Sequence, residues 1–229
     1  MVGTRRAGIV REFRTKHFVF AFIAAMSLYV LYHWERFLIE PSNPVWQHYQ
    51  SIGWWLLVHG IAGGSALILA PLQFSDRLRA RFTKLHRLVG RIYVTGVFLL
   101  APLGAYIQYV DERLAGASRT FTIASTTDAV LLVITTGAGL LFALKRMIPQ
   151  HRQWMTRSYA VALVFFEVRL ILGVTALDQP FDFAIAETVV WICLAFAVLI
   201  GDVANQVYEL QRMRPRIARA PAMQTVPAE

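Results

Sequence analysis

Ser51–Phe74 reads SIGWWLLVHGIAGGSALILAPLQF and contains no Asp, Glu, Lys or Arg. It is long enough to cross a bilayer as a helix. On that helix His59, Gly63, Ala66 and Ala70 follow one another at i+4 and i+3 spacing, so they share one face. The face is a polar ring above a groove poor in side chains. A neighbouring helix can pack closely there, or a flat cofactor can lie against it. Trp54 and Trp55 stand where an aromatic belt belongs.

The rest of the chain repeats this chemistry. Its hydrophobic fraction is 56% and its mean hydropathy is +0.48; a soluble domain needs less apolar surface. Charged residues make up 16% of the chain, yet the net charge is +9. A basic surplus in an apolar chain marks loops that face anionic lipid, and no soluble stretch is long enough for a nucleic-acid module. The one cysteine, Cys193, lies in an apolar run and reads as a buried, inert thiol.

Five further spans follow from apolar runs: about Phe18–Ile39, Ile92–Val110, Phe121–Leu144, Ser158–Leu177 and Phe183–Tyr208. Pro102 predicts a kink in the third span. Residues 1–16 are a basic N-terminus with no cleavage site after the first apolar run, which makes that run a retained helix. Glu40–Gln50, with Pro41, Pro44, Trp46 and His48, is an interfacial loop, and His17 stands at a membrane boundary. Residues 209–229 are a basic tail, disordered from about Gln211. The fold class is therefore all-α: a six-helix transmembrane bundle over residues 17–208. The segments 1–16, 76–91, 145–157 and 211–219 carry 19 Lys and Arg, against 3 in 35–50, 111–120 and 178–182. That bias places both termini in the cytoplasm and the chain in a bacterial inner membrane.

Two constellations stand out. Ionisable residues within spans are costly and point to function. His59, Asp128 and Arg169 all lie about 10–12 Å below the outer edge, with Glu167 about 3 Å deeper. Glu167 and Arg169, two residues apart, point about 200° away from each other and cannot pair. Asp128–Arg169 is the expected ion pair, with His59 or a water as third member. This cluster suits a small ligand or a proton; its structural alternative is a closed hydrogen-bond network.

The second constellation is at the cytoplasmic face. LHRLVGRIYV (85–94) and HRQWMTRSYA (151–160) each put a His-Arg pair at a helix entry. Either histidine alone is a cap or an interfacial anchor. Together, His86 and His151 can ligate haem iron, with Arg87, Arg91, Arg152 and Arg157 near the propionates.

The run His59–Phe74 (H-G-x-x-G-G…P-L-Q-F), His86–Tyr93 (H-R-x-x-G-R-x-Y) and His151–Ala160 (H-R-x-W-M-x-R-S-Y-A) resembles a bacterial family of predicted membrane proteins, domain-of-unknown-function family 2306. The resemblance spans about Gly53–Leu172 and implies a membrane protein with no established activity. His86–Arg91 is also similar to the H-x-x-x-G-R of cytochrome b561-type haem proteins. That likeness implies four histidines on four successive helices and two haems. This chain departs from it: the fourth helix offers Asp128 in place of histidine, and His59 would need His33 or His48 as its partner.

The first functional reading is thus a haem b electron-transfer protein, with one haem on His86 and His151 and a quinone as a fitting redox partner. The alternatives are a small-ligand or proton-coupled transport or binding protein using His59, Asp128, Glu167 and Arg169, and a structural or accessory subunit. No Walker-type loop, G-x-S-x-G or H-E-x-x-H is present.

Overall fold

The computed structural model describes residues 18, 20–40, 42–43, 46, 49–114, 116–178 and 182–217. Residues 1–16, His17, His48 and the chain beyond 217 lie outside the described residues. Helix α1 (Phe20–His33) is apolar and short. A 3-10 turn, Arg36–Ile39, follows it. Then come α2 (Gly53–Gln73), α3 (Asp76–Arg81), α4 (Thr83–Leu114), α5 (Arg119–Leu144), α6 (Ile148–Val174) and α7 (Phe183–Ile217). No strand occurs among the described residues. Four helices, α2, α4, α5 and α7, are long and apolar enough to cross a bilayer.

Mid-helix residues such as Ile61, Leu99, Ile134, Ile192 and Leu199 point outward and are exposed. In water they would form an apolar belt far larger than the few hundred Å² a soluble protein shows. Against acyl chains the same belt is satisfied. Trp54 and Trp55 are exposed, as an aromatic belt requires. Cys193 is buried at 3% exposure and unpaired.

Several helices are longer than their apolar runs. α4 starts at Thr83, not Ile92, α6 at Ile148, not Ser158, and α7 continues past Tyr208 to Ile217. Arg and Lys are good helix formers, so the backbone stays helical after the apolar run ends. At the start of α3 the Ser75 hydroxyl caps the helix by accepting from the Leu78 N–H. α1 does the opposite and ends at His33, short of Ile39. The chain then folds back, with Trp34 Nε1 donating to the Arg169 carbonyl at 3.0 Å and Trp46 Nε1 donating to the Phe37 carbonyl at 2.6 Å.

α2 packs mainly on α4, α4 on α5, α5 on α6, and α6 on α7. α1 leans on α6, where Tyr29 fills the space left by Gly173. A side chain at Gly96 would begin 2.9 Å from the Ala62 carbonyl oxygen, so only glycine lets α2 and α4 approach this closely. The connections α1–α2, α4–α5 and α6–α7 meet at one end, which carries few Lys and Arg but several Asp and Glu. There His33 contacts Asp178 at 3.1 Å, and Thr120 donates to Glu187 at 2.6 Å. The opposite end carries the basic residues of α3 and of the starts of α4 and α6.

Candidate functional site

A cavity of about 580 Å³ lies in the half of the bundle near the Lys- and Arg-poor end, lined by residues of all six of the longer helices and by Glu35, Phe37 and Tyr49. Its α2 wall is Gly60, Gly63, Gly64, Ala66 and Leu67. A Cβ at Gly63 or Gly64 would meet nothing within 4 Å, so this wall faces open space. The side-chain-poor groove read from the sequence is thus the cavity wall at Gly63. Farther along, Ala66 and Ala70 are buried.

His59 stands on this wall. Its Nδ1 lies 2.9 Å from the Leu100 carbonyl oxygen. A carbonyl only accepts, so Nδ1 carries the proton, and Nε2 of the neutral ring keeps its lone pair. The ring lies against Gly104, where a Cβ would come within 3.0 Å of it.

Arg169 does not pair with Asp128. Its Nε donates to Glu35 Oε1 at 3.0 Å, and its guanidinium sits 3.7 Å from the Phe165 ring centroid. The expected Asp128–Arg169 pair is therefore corrected to Glu35–Arg169. Matching depths along helices cannot reveal a carboxylate delivered by a segment that folds back after α1. Asp128 Oδ1 is left buried with no partner, as is Gln108 Oε1, and both residues line the cavity. Glu167 is not among the lining residues, nor does it pair with Arg169. It is within electrostatic range of Asp128 and of Cys193.

The basic end is built differently. His86 and His151 are within electrostatic range of each other. His151 Nδ1 donates to the Gly139 carbonyl at 2.8 Å, which leaves Nε2 open, as in metal-ligating histidines. His86 Nδ1 and Gln73 Nε2 are buried without partners. Neither histidine lines the cavity. No group of three or more His, Cys, Asp or Glu able to hold a metal ion occurs among the described residues, although a bis-histidine haem needs only two ligands. The arginines divide. Arg157 pairs with Asp202 at 2.6 Å, and Arg152 lies over the Tyr208 ring at 3.2 Å. Arg87 and Arg91 are exposed.

The other residues of the two His-Arg motifs join helices. Ser158 Oγ is 2.8 Å from the Tyr93 hydroxyl and 2.6 Å from the Thr136 hydroxyl, which ties α4, α5 and α6 together. All three residues are at most 1% exposed. Tyr159 donates to the Leu67 carbonyl at 3.4 Å, and Asn205 to the Gln153 carbonyl at 3.1 Å. Met155 packs on Gly139. Sequence reasoning missed Glu35, Gln108 and Thr136. Gln108 and Thr136 were visible as polar residues in apolar runs, and Glu35 as an acidic residue inside the expected first span.

No curated protein matches this chain, and neither does any solved structure. One family model matches residues 56–204, a range that includes His59, Asp128, both His-Arg motifs and Asp202. The chain is a membrane-integral protein and belongs to the family described as predicted membrane protein (DUF2306).

Proposed function

We propose that this is a membrane protein that binds a small molecule in the cavity lined by all six of the longer helices. One observation carries the reading. In a largely apolar wall, Gln108 Oε1 and Asp128 Oδ1 are buried with no protein partner. Buried polar atoms normally have one, and an exception calls for an explanation. A pocket of this volume with a few polar groups has the make-up of a ligand site. The basic segments orient the bundle as six spans with both termini cytoplasmic, in a bacterial inner membrane, so the cavity lies in the external half.

Filling the cavity tests this. Gly63→Leu and Gly64→Leu point side chains into open space and should leave thermal stability in detergent intact. A thermal-shift screen of small amphiphiles should find ligands for the wild type that both variants have lost. Ligands that bind the filled variants equally well would place the site elsewhere.

A second reading is favoured by His86 and His151 lying within electrostatic range of each other and by the Nδ1 bond of His151. These two would hold one haem b, with Arg87 and Arg91 near its propionates. Bound there, haem would carry single electrons. Purified protein should then show a Soret band with sharp reduced α and β bands, and His86→Ala or His151→Ala should abolish them. No haem after expression with excess haem would return both histidines to helix packing.

A further inference from the structure

We propose that the occupant of the cavity is an organic cation with N–H donors, an ammonium group on an apolar body; this rests on reading the cavity as a binding site. Among the described residues Arg169 is the only Lys or Arg lining the cavity, and it is held by Glu35 at 3.0 Å. The two cancel. Asp128 remains, and no cation among the described residues reaches it. Glu167 lies within electrostatic range of it and adds to the negative potential. A lone carboxylate in an apolar wall is costly, and a ligand cation supplies the missing charge. An anionic ligand would make that cost worse.

The hydrogen-bonding groups agree. Asp128 Oδ1 and Gln108 Oε1 are unpartnered acceptors. His59 has its Nδ1–H committed to the Leu100 carbonyl, so Nε2 of the neutral ring is a third acceptor. An ammonium group brings donors to such a wall; a carboxylate or a carbonyl would bring more acceptors. The remaining wall, including Leu67 and Leu132, is apolar and suits a hydrocarbon body better than a bare, hydrated metal ion.

The test uses the full chain in lipid nanodiscs and three probes of nearly equal shape: phenethylammonium, phenethyl alcohol and phenylacetate. Phenethylammonium should bind at least about tenfold more tightly than the alcohol, because a charge-assisted hydrogen bond is about twice as strong as a neutral one. Phenylacetate should bind more weakly than either. Asp128→Asn keeps the side chain's size and should erase the preference for the ammonium while leaving alcohol binding in place. Gly63→Leu should remove binding of both.

An alcohol that binds as well as the ammonium, and is lost in Gly63→Leu, would overturn the cation while leaving the cavity as a site. Ammonium binding that survives Gly63→Leu would overturn both. A thermal shift produced by sodium over potassium, and abolished by Asp128→Asn, would make this an inorganic cation site and overturn the proposal.

Discussion

The HRQWMTRSYA segment and the cavity wall use similar residues in opposite ways. At the basic end the HRQWMTRSYA segment has the more conspicuous sequence, and nearly every residue in it touches another helix. Ser158 joins Tyr93 and Thr136, Arg157 joins Asp202, and His151 joins Gly139. In the cavity wall Asp128 and Gln108 are single polar residues in apolar runs, and each has a buried oxygen with no partner. Satisfied polar groups specify packing; unsatisfied ones are held ready for something else. The conspicuous motif thus marks mainly the joint, and the quiet residues mark the cavity.

The largest expected effect breaks the joint. Ser158→Ala removes the oxygen shared by two buried hydroxyls and leaves Tyr93 and Thr136 with only each other as partners. At about 1–3 kcal/mol for an orphaned group, the change should cost about 1–3 kcal/mol and lower the melting temperature in detergent. Tyr93→Phe and Thr136→Val added to Ser158→Ala should recover much of the loss, since removing all partners of a bond is nearly neutral. A triple variant less stable than the single one would show that the hydroxyls have other roles.

This joint also shows how far the sequence can be read. The apolar runs were legible because only a helix can bury its own backbone polar groups in lipid. Helix ends were not, wherever a basic segment continued the helix, as at Thr83 and Ile148. The lipid boundary and the helix boundary are different things. His59 was legible as a polar residue in a charge-free run, and its glycine-lined face was legible from spacing. The partner of Arg169 was not, because Glu35 reaches it only after the chain turns back behind α1. The role of HRQWMTRSYA was half-legible: its composition announced importance, but the contacts that use it come from α4, α5 and α7.

An intermediate effect sharpens the contrast within the cavity itself. Glu35 and Arg169 are half-buried partners, with side-chain exposures of 15% and 32%. Glu35→Gln and Arg169→Gln should each destabilise by about 1–2 kcal/mol, below the 3–5 kcal/mol of a fully buried pair. In a double-mutant cycle the two should couple. The cycle pairing Arg169→Gln with Asp128→Asn should be additive, because those two residues do not touch. Coupling in that second cycle would restore the ion pair expected from helix depth.

The smallest effect on stability belongs to Asp128, and here the sign matters. A paired carboxylate, when neutralised, strands its cation and weakens the fold. Asp128 strands nothing: Arg169 keeps Glu35, and no hydrogen bond to Oδ1 is lost. Asparagine has nearly the same shape and carries no charge, so it avoids the cost of a lone buried carboxylate. Asp128→Asn should therefore leave the melting temperature of the ligand-free protein unchanged or raise it slightly. Ser158→Ala, made in a motif that looks catalytic, should instead unfold the protein at lower temperature. The comparison is cleanest when both variants are measured in one detergent at one pH, with and without phenethylammonium. The wild type should gain stability from the probe and Asp128→Asn should gain much less, so that their order of melting temperatures narrows or inverts as ligand is added. A large loss of stability in ligand-free Asp128→Asn would mean that Asp128 has a partner within the protein, and the cavity wall would then be a second joint, not a site.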